Sequence, residues 1–184
     1  MLKEIFEWAK SIIFALIVVF IFNIFFGITT VYNTSMVPTL VEKNMLFISK
    51  IAKIENGDIV TFETDIKLTK MDIQTLSPIK RLFVSENTNK NLIKRAIGIP
   101  GDKIVIENGE VFVNDEKLDE PYINTVTMGD VYIEEIQEDE YFMMGDNRAV
   151  SLDSRSSIVG LVAEEKIIGE AIFRFWPIFD LEIF

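Results

Sequence analysis

Neither histidine nor cysteine occurs among the 184 residues. Without imidazole, a serine nucleophile cannot be activated by the usual Ser-His-Asp arrangement. Without thiols there are no disulfides, no thiolate catalysis and few ways to build a zinc site, and the redox compartment cannot be read from cysteine usage. A basic balance is missing too: 29 acidic residues stand against 18 basic ones, a net charge of −11. That argues against nucleic acid as a partner, because phosphates need a basic face, and against broad adhesion to anionic lipid. Internal repeats and low-complexity segments are absent. Gly98-Ile99-Pro100-Gly101-Asp102 lacks the glycine spacing and following lysine of a phosphate-cradling loop. No metal or organic cofactor is implied.

Charge is absent altogether from Ser11 to Val41. The core of that run, Ser11 to Ile28, is apolar except for Ser11, Asn23 and Gly27, and its 18 residues would cover about 27 Å as a helix. This predicts one transmembrane helix. A cleavable leader would have a shorter apolar region, about 7–15 residues, and then a small-x-small site; Phe25-Phe26-Gly27-Ile28-Thr29 offers none. A buried helix of a soluble protein is the plainer alternative. Lys3 and Lys10 precede the run and only Lys43 follows closely, so the positive-inside rule favours a cytoplasmic N-terminus. The expected layout is a stub and anchor over residues 1–30, then an extracytoplasmic domain over 31–184.

That domain reads as mainly β, with an antiparallel sheet. Met45 to Ile51, Asp58 to Phe62, Val131 to Ile136, Glu140 to Met144 and Lys166 to Trp176 are strand candidates, and helical periodicity is poor outside the anchor. Asn108-Gly109, between two alternating apolar runs, predicts a tight hairpin, because a type I′ turn needs positive φ at both central residues. Residues 64–91 are polar, carry Ser77-Pro78, and read as an insertion or mobile loop.

Candidate chemistry begins where the apolar run ends, at Asn33-Thr34-Ser35-Met36-Val37-Pro38-Thr39-Leu40. A serine hydroxyl is a weak nucleophile until a positioned base takes its proton, and with no histidine that base must be considered as lysine. Lysine serves only when neutral, which near pH 8 or 9 requires its pKa to fall from about 10.4; burial does this by penalising the ammonium. Lys94, in Asn91-Leu92-Ile93-Lys94-Arg95-Ala96-Ile97-Gly98-Ile99, is the candidate. As a strand this segment puts Leu92, Lys94, Ala96 and Gly98 on one face. Period alone does not bury Lys94, and a surface lysine is the ordinary alternative.

The blocks taken together resemble bacterial type I signal peptidases, the membrane-bound Ser/Lys proteases. The apolar anchor comes first, then Ser35 to Leu40, Asn56 to Phe62, Lys94 to Asp102, and Gly145-Asp146-Asn147-Arg148 with Ser151, Asp153, Ser154 and Arg155. The likeness continues through Gly160, Ile168-Gly169 and Trp176-Pro177 and covers nearly the whole chain apart from the polar insertion. It implies that Ser35 attacks the scissile carbonyl and that Lys94 is general base. Ser151 would hold the lysine amine, and the Ser35 amide would donate to the oxyanion. The second oxyanion donor in many relatives is a serine hydroxyl at the position Asn33 holds here. Asp146 with Arg95, and Asp153 with Arg155, would be supporting ion pairs, structural rather than chemical. Met36, Leu40 and Ile93 would line pockets for small substrate side chains or belong to the ordinary core. Ala149-Val150 replaces polar residues common in relatives.

The resemblance implies a peptidase that cuts signal peptides from exported preproteins after small residues at −3 and −1. It would work in a lipid bilayer and without cofactor. Ser35 lies seven residues beyond Ile28, near the depth at which a bilayer-embedded signal peptide presents its cleavage site. Two other classes compete. A catalytically silent membrane assembly factor on the same fold would typically lack the serine or the lysine. A self-cleaving Ser/Lys repressor would lack the anchor and carry a basic DNA-binding region.

Overall fold

A computed structural model describes residues 2–184. Helix α1, Leu2–Phe25, contains the window Phe6–Phe25, which is long and apolar enough to cross a bilayer and has none of its residues buried in the protein. Asn23 turns its amide back onto the Val19 carbonyl of the same helix, at 2.8 Å, so the one amide in the span is satisfied locally. The helix ends three residues short of Ile28. Phe26–Thr30 (Phe-Gly-Ile-Thr-Thr) forms strand β1 instead: its glycine disfavours helix and its β-branched residues favour extended backbone, and Gly27 packs so closely on Ile48 that a Cβ there would lie 3.1 Å from Ile48 Cγ1.

Twelve strands follow the helix in all, and every described pairing between them is antiparallel. The larger sheet runs β1, β2 (Met45–Ser49), β11 (Ile167–Trp176), β3 (Ile59–Lys67), β4 (Asn89–Gly98), β9 (Glu140–Met144), β10 (Val162–Ala163), with β12 (Glu182–Ile183) also on β11. A smaller sheet has the order β7 (Glu116–Lys117), β6 (Glu110–Val113), β5 (Ile104–Glu107), β8 (Val131–Ile133). The β5–β6 turn has φ of 53° at Asn108 and 84° at Gly109, the double positive that the dipeptide predicts.

Inward-facing residues form three apolar clusters. Val31, Met36, Leu40, Leu46, Ile48, Ile59 and Ala171 pack under the turn that follows β1. Val60, Phe62, Leu92, Ala96 and Met143 fill the middle of the large sheet. Ile97, Ile104, Ile106, Ile136 and Phe142 join the two sheets. Gly98 gives room at that junction: a Cβ would sit 2.6 Å from Ile136 Cδ1 and 2.7 Å from Ile104 Cδ1, so both isoleucines would have to shift.

The segment 64–91 is not the irregular loop its polarity suggests. Strand β3 continues to Lys67 and β4 begins at Asn89. Between them lie α2 (Lys70–Thr75), started by a reciprocal Thr69–Asp72 capping box, and α3 (Pro78–Arg81), capped by Ser77. The Ser-Pro pair is thus a helix start rather than a break, with proline at the first turn where its missing N–H costs nothing. Lys90 binds Asp72 at 2.6 Å, and Lys80 Nζ donates to the Tyr32 hydroxyl at 3.1 Å. The insertion is therefore folded down over the start of the 31–40 turn.

Candidate active site

Residues 31–44 leave β1, turn, and return as β2. Val31 N donates to Asn44 O, and Leu40 N to Met36 O. That single helical turn buries Met36 and Leu40 in the core and leaves Ser35 at its start, 8% exposed. Beneath it, β4 runs between β3 and β9, with Lys94 opposite Val60. The alternation read from the sequence holds: Leu92, Lys94, Ala96 and Gly98 are all buried. Lys94 is only 1% exposed. Its amine donates to Ser35 Oγ at 2.6 Å and to the Ile93 carbonyl at 3.1 Å. Burial brings its pKa down from 10.5 to about 8, with Asp153 and Asp146 pulling it back up and Lys90 and Arg155 adding to the fall.

The Asp146–Arg155 segment locks this pair from the side. Asp146 is fully buried and holds Arg95 through two bonds, Nε–Oδ1 2.9 Å and Nη2–Oδ2 2.7 Å, while Thr39 Oγ1 donates to Oδ2 at 2.5 Å. Asn147 N donates to the Ser35 carbonyl at 3.0 Å. Asp153 accepts from Arg155 and from the Gly145 amide at 3.0 Å. Burial pushes the Asp153 carboxyl up, but Arg155, the adjacent Ser151 hydroxyl and the Gly145 amide outweigh it and hold the group below its ordinary value. Both carboxylates are buried.

The other polar neighbour of Ser35 is Asn33. Ser35 Oγ donates to Asn33 Oδ1 at 2.8 Å, and the Ser35 backbone amide reaches the same oxygen at 3.2 Å. A cavity of about 230 Å³ lies against Asn33, Ser35, Lys94, Val150 and Leu152. It meets at Asn33 and Lys90 a larger groove of about 410 Å³, which runs between residues 29–33 and 89–93 beneath Met71, Leu76 and Val84 of the insertion.

The Signal peptidase, peptidase S26 family pattern matches residues 5–176. Signal peptidase IB of Staphylococcus aureus (strain COL) is 32% identical over 200 residues, covering 96% of this chain and 92% of that protein. Signal peptidase I of Bacillus licheniformis is 30% identical over 190 residues, covering 95% and 90%. The chain belongs to the signal peptidase family, peptidase S26. A crystal structure of a signal peptidase I from Enterococcus faecalis V583 is also similar, with a TM-score of 0.48, 23% identity, and coverage of 65% of this chain and 97% of that one.

As a type I signal peptidase the chain is a serine peptidase, and the structure brings most of the sequence-predicted residues together. Ser35, Lys94 and Asn33 meet at one cavity, with the Arg95–Asp146 and Arg155–Asp153 pairs beside it. Two assignments change. The Lys94 amine is held by the Ile93 carbonyl, not by Ser151. The 147–151 turn, closed by Ser151 N to Asn147 O at 3.0 Å, presses Ser151 against Gly145, and its hydroxyl makes no hydrogen bond of ordinary geometry. Leu40 faces the core and lines neither cavity nor groove, whereas Met36 and Ile93 border the groove.

Arg148 is the residue the sequence left without a role. It is buried and donates to the Gly145 carbonyl at 3.0 Å, to Thr127 Oγ1 at 2.5 Å, and to both oxygens of Glu120. Its own motif position pointed to it. Glu120 and Thr127 sit in irregular chain with no periodic signal. Gly145 is fixed from both sides: a Cβ there would fall 2.2 Å from Ser151 Oγ and 2.4 Å from the Ser35 carbonyl oxygen. Gly145→Ala should therefore push Ser35 out of line with Lys94. We expect peptide cleavage to fall on the order of 100-fold with a stability cost of about 1–3 kcal/mol, read from turnover and Tm on one preparation. Unchanged turnover would show that the serine turn yields freely.

Proposed function

We propose that this chain is a membrane-anchored endopeptidase that releases signal peptides from exported preproteins with Ser35 as nucleophile and Lys94 as general base. The observation that carries this reading is the 2.6 Å contact between Ser35 Oγ and a buried amine whose pKa is about 8. Once neutral, Lys94 accepts the Ser35 proton as Oγ attacks the scissile carbonyl. The oxyanion takes the Ser35 amide hydrogen bond. Lys94 then passes the proton to the leaving amine, and the acyl-enzyme is hydrolysed by water with the same lysine as base. Met36 and Ile93 line the groove that meets the Ser35 cavity, an apolar lining suited to small side chains at −1 and −3. The other charged residues position the dyad and touch no reacting atom.

The anchor supports a bilayer as the working place. Phe22 of α1, Phe26 of β1, Phe47 of β2 and Phe173 of β11 form a continuous aromatic row, with neighbouring ring centroids 5.0, 5.2 and 5.0 Å apart. The end of β11 and the turn after it also expose Trp176, Ile178 and Phe179. Aromatic rings of this kind suit the headgroup level, and Lys3 and Lys10 favour a cytoplasmic N-terminus. The silent alternative loses ground, since serine and lysine are both present and in contact.

The test is cleavage of a preprotein in lipid vesicles across pH. The rate should rise through an apparent pKa near 8 as Lys94 loses its proton, and replacing alanine at −1 by a bulky residue should stop the reaction. A flat profile between pH 6.5 and 9.5 would remove Lys94 as base.

A further inference from the structure

We infer that Asn33 is a displaceable internal cap on the oxyanion site, resting on the Ser35–Lys94 reading above. A backbone N–H can only donate, so the Asn33 atom facing the Ser35 amide must be the carbonyl oxygen, and the amide orientation is fixed by chemistry. That oxygen lies 3.2 Å from Ser35 N and 2.8 Å from Ser35 Oγ. A scissile carbonyl must place its own oxygen within hydrogen-bond reach of the same N–H, beside the same Oγ. The resting protein thus fills this position with a carbonyl of its own.

The serine proton is also misdirected at rest. Ser35 Oγ donates to Asn33 and accepts from Lys94, whereas attack requires Oγ to donate to Lys94. Substrate entry must break both bonds to Asn33, after which the hydroxyl proton is free to turn to the amine. Asn33 is exposed and sits where the nucleophile cavity meets the groove, so it can swing aside without disturbing the core. A short side chain accepting from the amide two residues on is a local and reversible closure.

A cap that competes with substrate lowers apparent affinity by the fraction of uncapped protein. Two neutral hydrogen bonds of ordinary net strength correspond to roughly a five- to hundredfold effect. Asn33→Ala removes the acceptor, and KM for a preprotein should fall by that factor while kcat moves far less. Asn33→Asp keeps the geometry and strengthens both bonds with charge, so KM should rise above that of the wild type. The second readout does not depend on preprotein as substrate: a peptide boronate ending in alanine. Its boron accepts Ser35 Oγ as the hydroxyl proton passes to Lys94, and it should bind Asn33→Ala more tightly than the wild type by the same factor. A fall in kcat at unchanged KM would make Asn33 an oxyanion donor and overturn the cap. A rise in KM for Asn33→Ala, or no change in either readout, would overturn it equally. If preprotein is not cut but boronate binding still follows the series, the proposed function fails and the cap stands.

Discussion

Lys94→Met should abolish peptide cleavage and make the protein more stable. Methionine nearly conserves volume and suits the apolar surroundings of β4, but it cannot accept the Ser35 proton. The loss of general base catalysis alone is about 10²–10⁴-fold. The stability gain has a separate cause. A fall in pKa from 10.5 to about 8 corresponds to roughly 3 kcal/mol spent burying the ammonium at neutral pH, partly offset by its bonds to Ser35 and Ile93. Because the folded-state pKa is the lower one, the unfolded chain binds more protons between pH 8 and 10.5, and wild-type stability rises with pH through that window. Below pH 8 the penalty is present in full. The variant's advantage should therefore be largest at pH 6.5 and nearly gone by pH 10.5. At about 2–4 °C per kcal/mol for a chain of this size, the difference in Tm at pH 6.5 should be several degrees. Calorimetry of both proteins at the two pH values checks this. An equal gap at both would mean that Lys94 is not buried as an ammonium.

Asp146→Ala should be the most destabilising of the site substitutions, by about 3–5 kcal/mol. The carboxylate is fully buried, and its removal strands the Arg95 guanidinium, whose side chain is 12% exposed. Arg95 would keep only the Gly57 carbonyl at 2.7 Å and the face of Tyr122, 4.0 Å from the ring centroid. Thr39 would lose its acceptor as well, loosening the turn that carries Ser35. Denaturant titration measures the loss, and Asp146→Asn should fall between the two because the amide oxygen still accepts. Asp146 also holds the Lys94 pKa up, so the pH-rate curve of Asp146→Asn should move to lower pH. A curve that stays in place would limit Asp146 to support of the fold.

The sequence made the Ser/Lys pair legible because it holds no histidine, and the alternation put Leu92, Lys94, Ala96 and Gly98 on one face, which the structure buries. What it could not supply was the depth of that face, because a period of two says which side a residue takes and not what covers it. The neighbours of Lys94 are Val60 across the sheet, Ser35, Asp146 and Asp153, all remote in sequence. The Asn-Gly hairpin was legible for a local reason, positive φ at two adjacent residues. Residues 64–91 misled because polarity was read as irregularity. Short capped helices bury none of their own residues, so they leave no apolar period to detect. Ser151 was placed by resemblance alone, and its buried hydroxyl has no hydrogen-bond partner among the described residues. Arg148 needed Glu120 and Thr127 as partners, and long-range polar pairs of that kind leave no mark in a single sequence.

Helix α1 passes into β1 with no intervening linker. Lys50 N on the Phe25 carbonyl and Lys50 Nζ on the Asn23 carbonyl, each at 2.8 Å, tie the joint, and the phenylalanine row continues across it. A joint without a hinge makes the enzyme a gauge. In the proposed reaction the nucleophile stands at one fixed height above the lipid and cannot stoop or reach. A peptide bond lying one helical turn deeper, about 5.4 Å, would be out of range whatever its sequence. The cutting site of a preprotein would then be chosen twice, once by the small side chains beside it and once by its altitude.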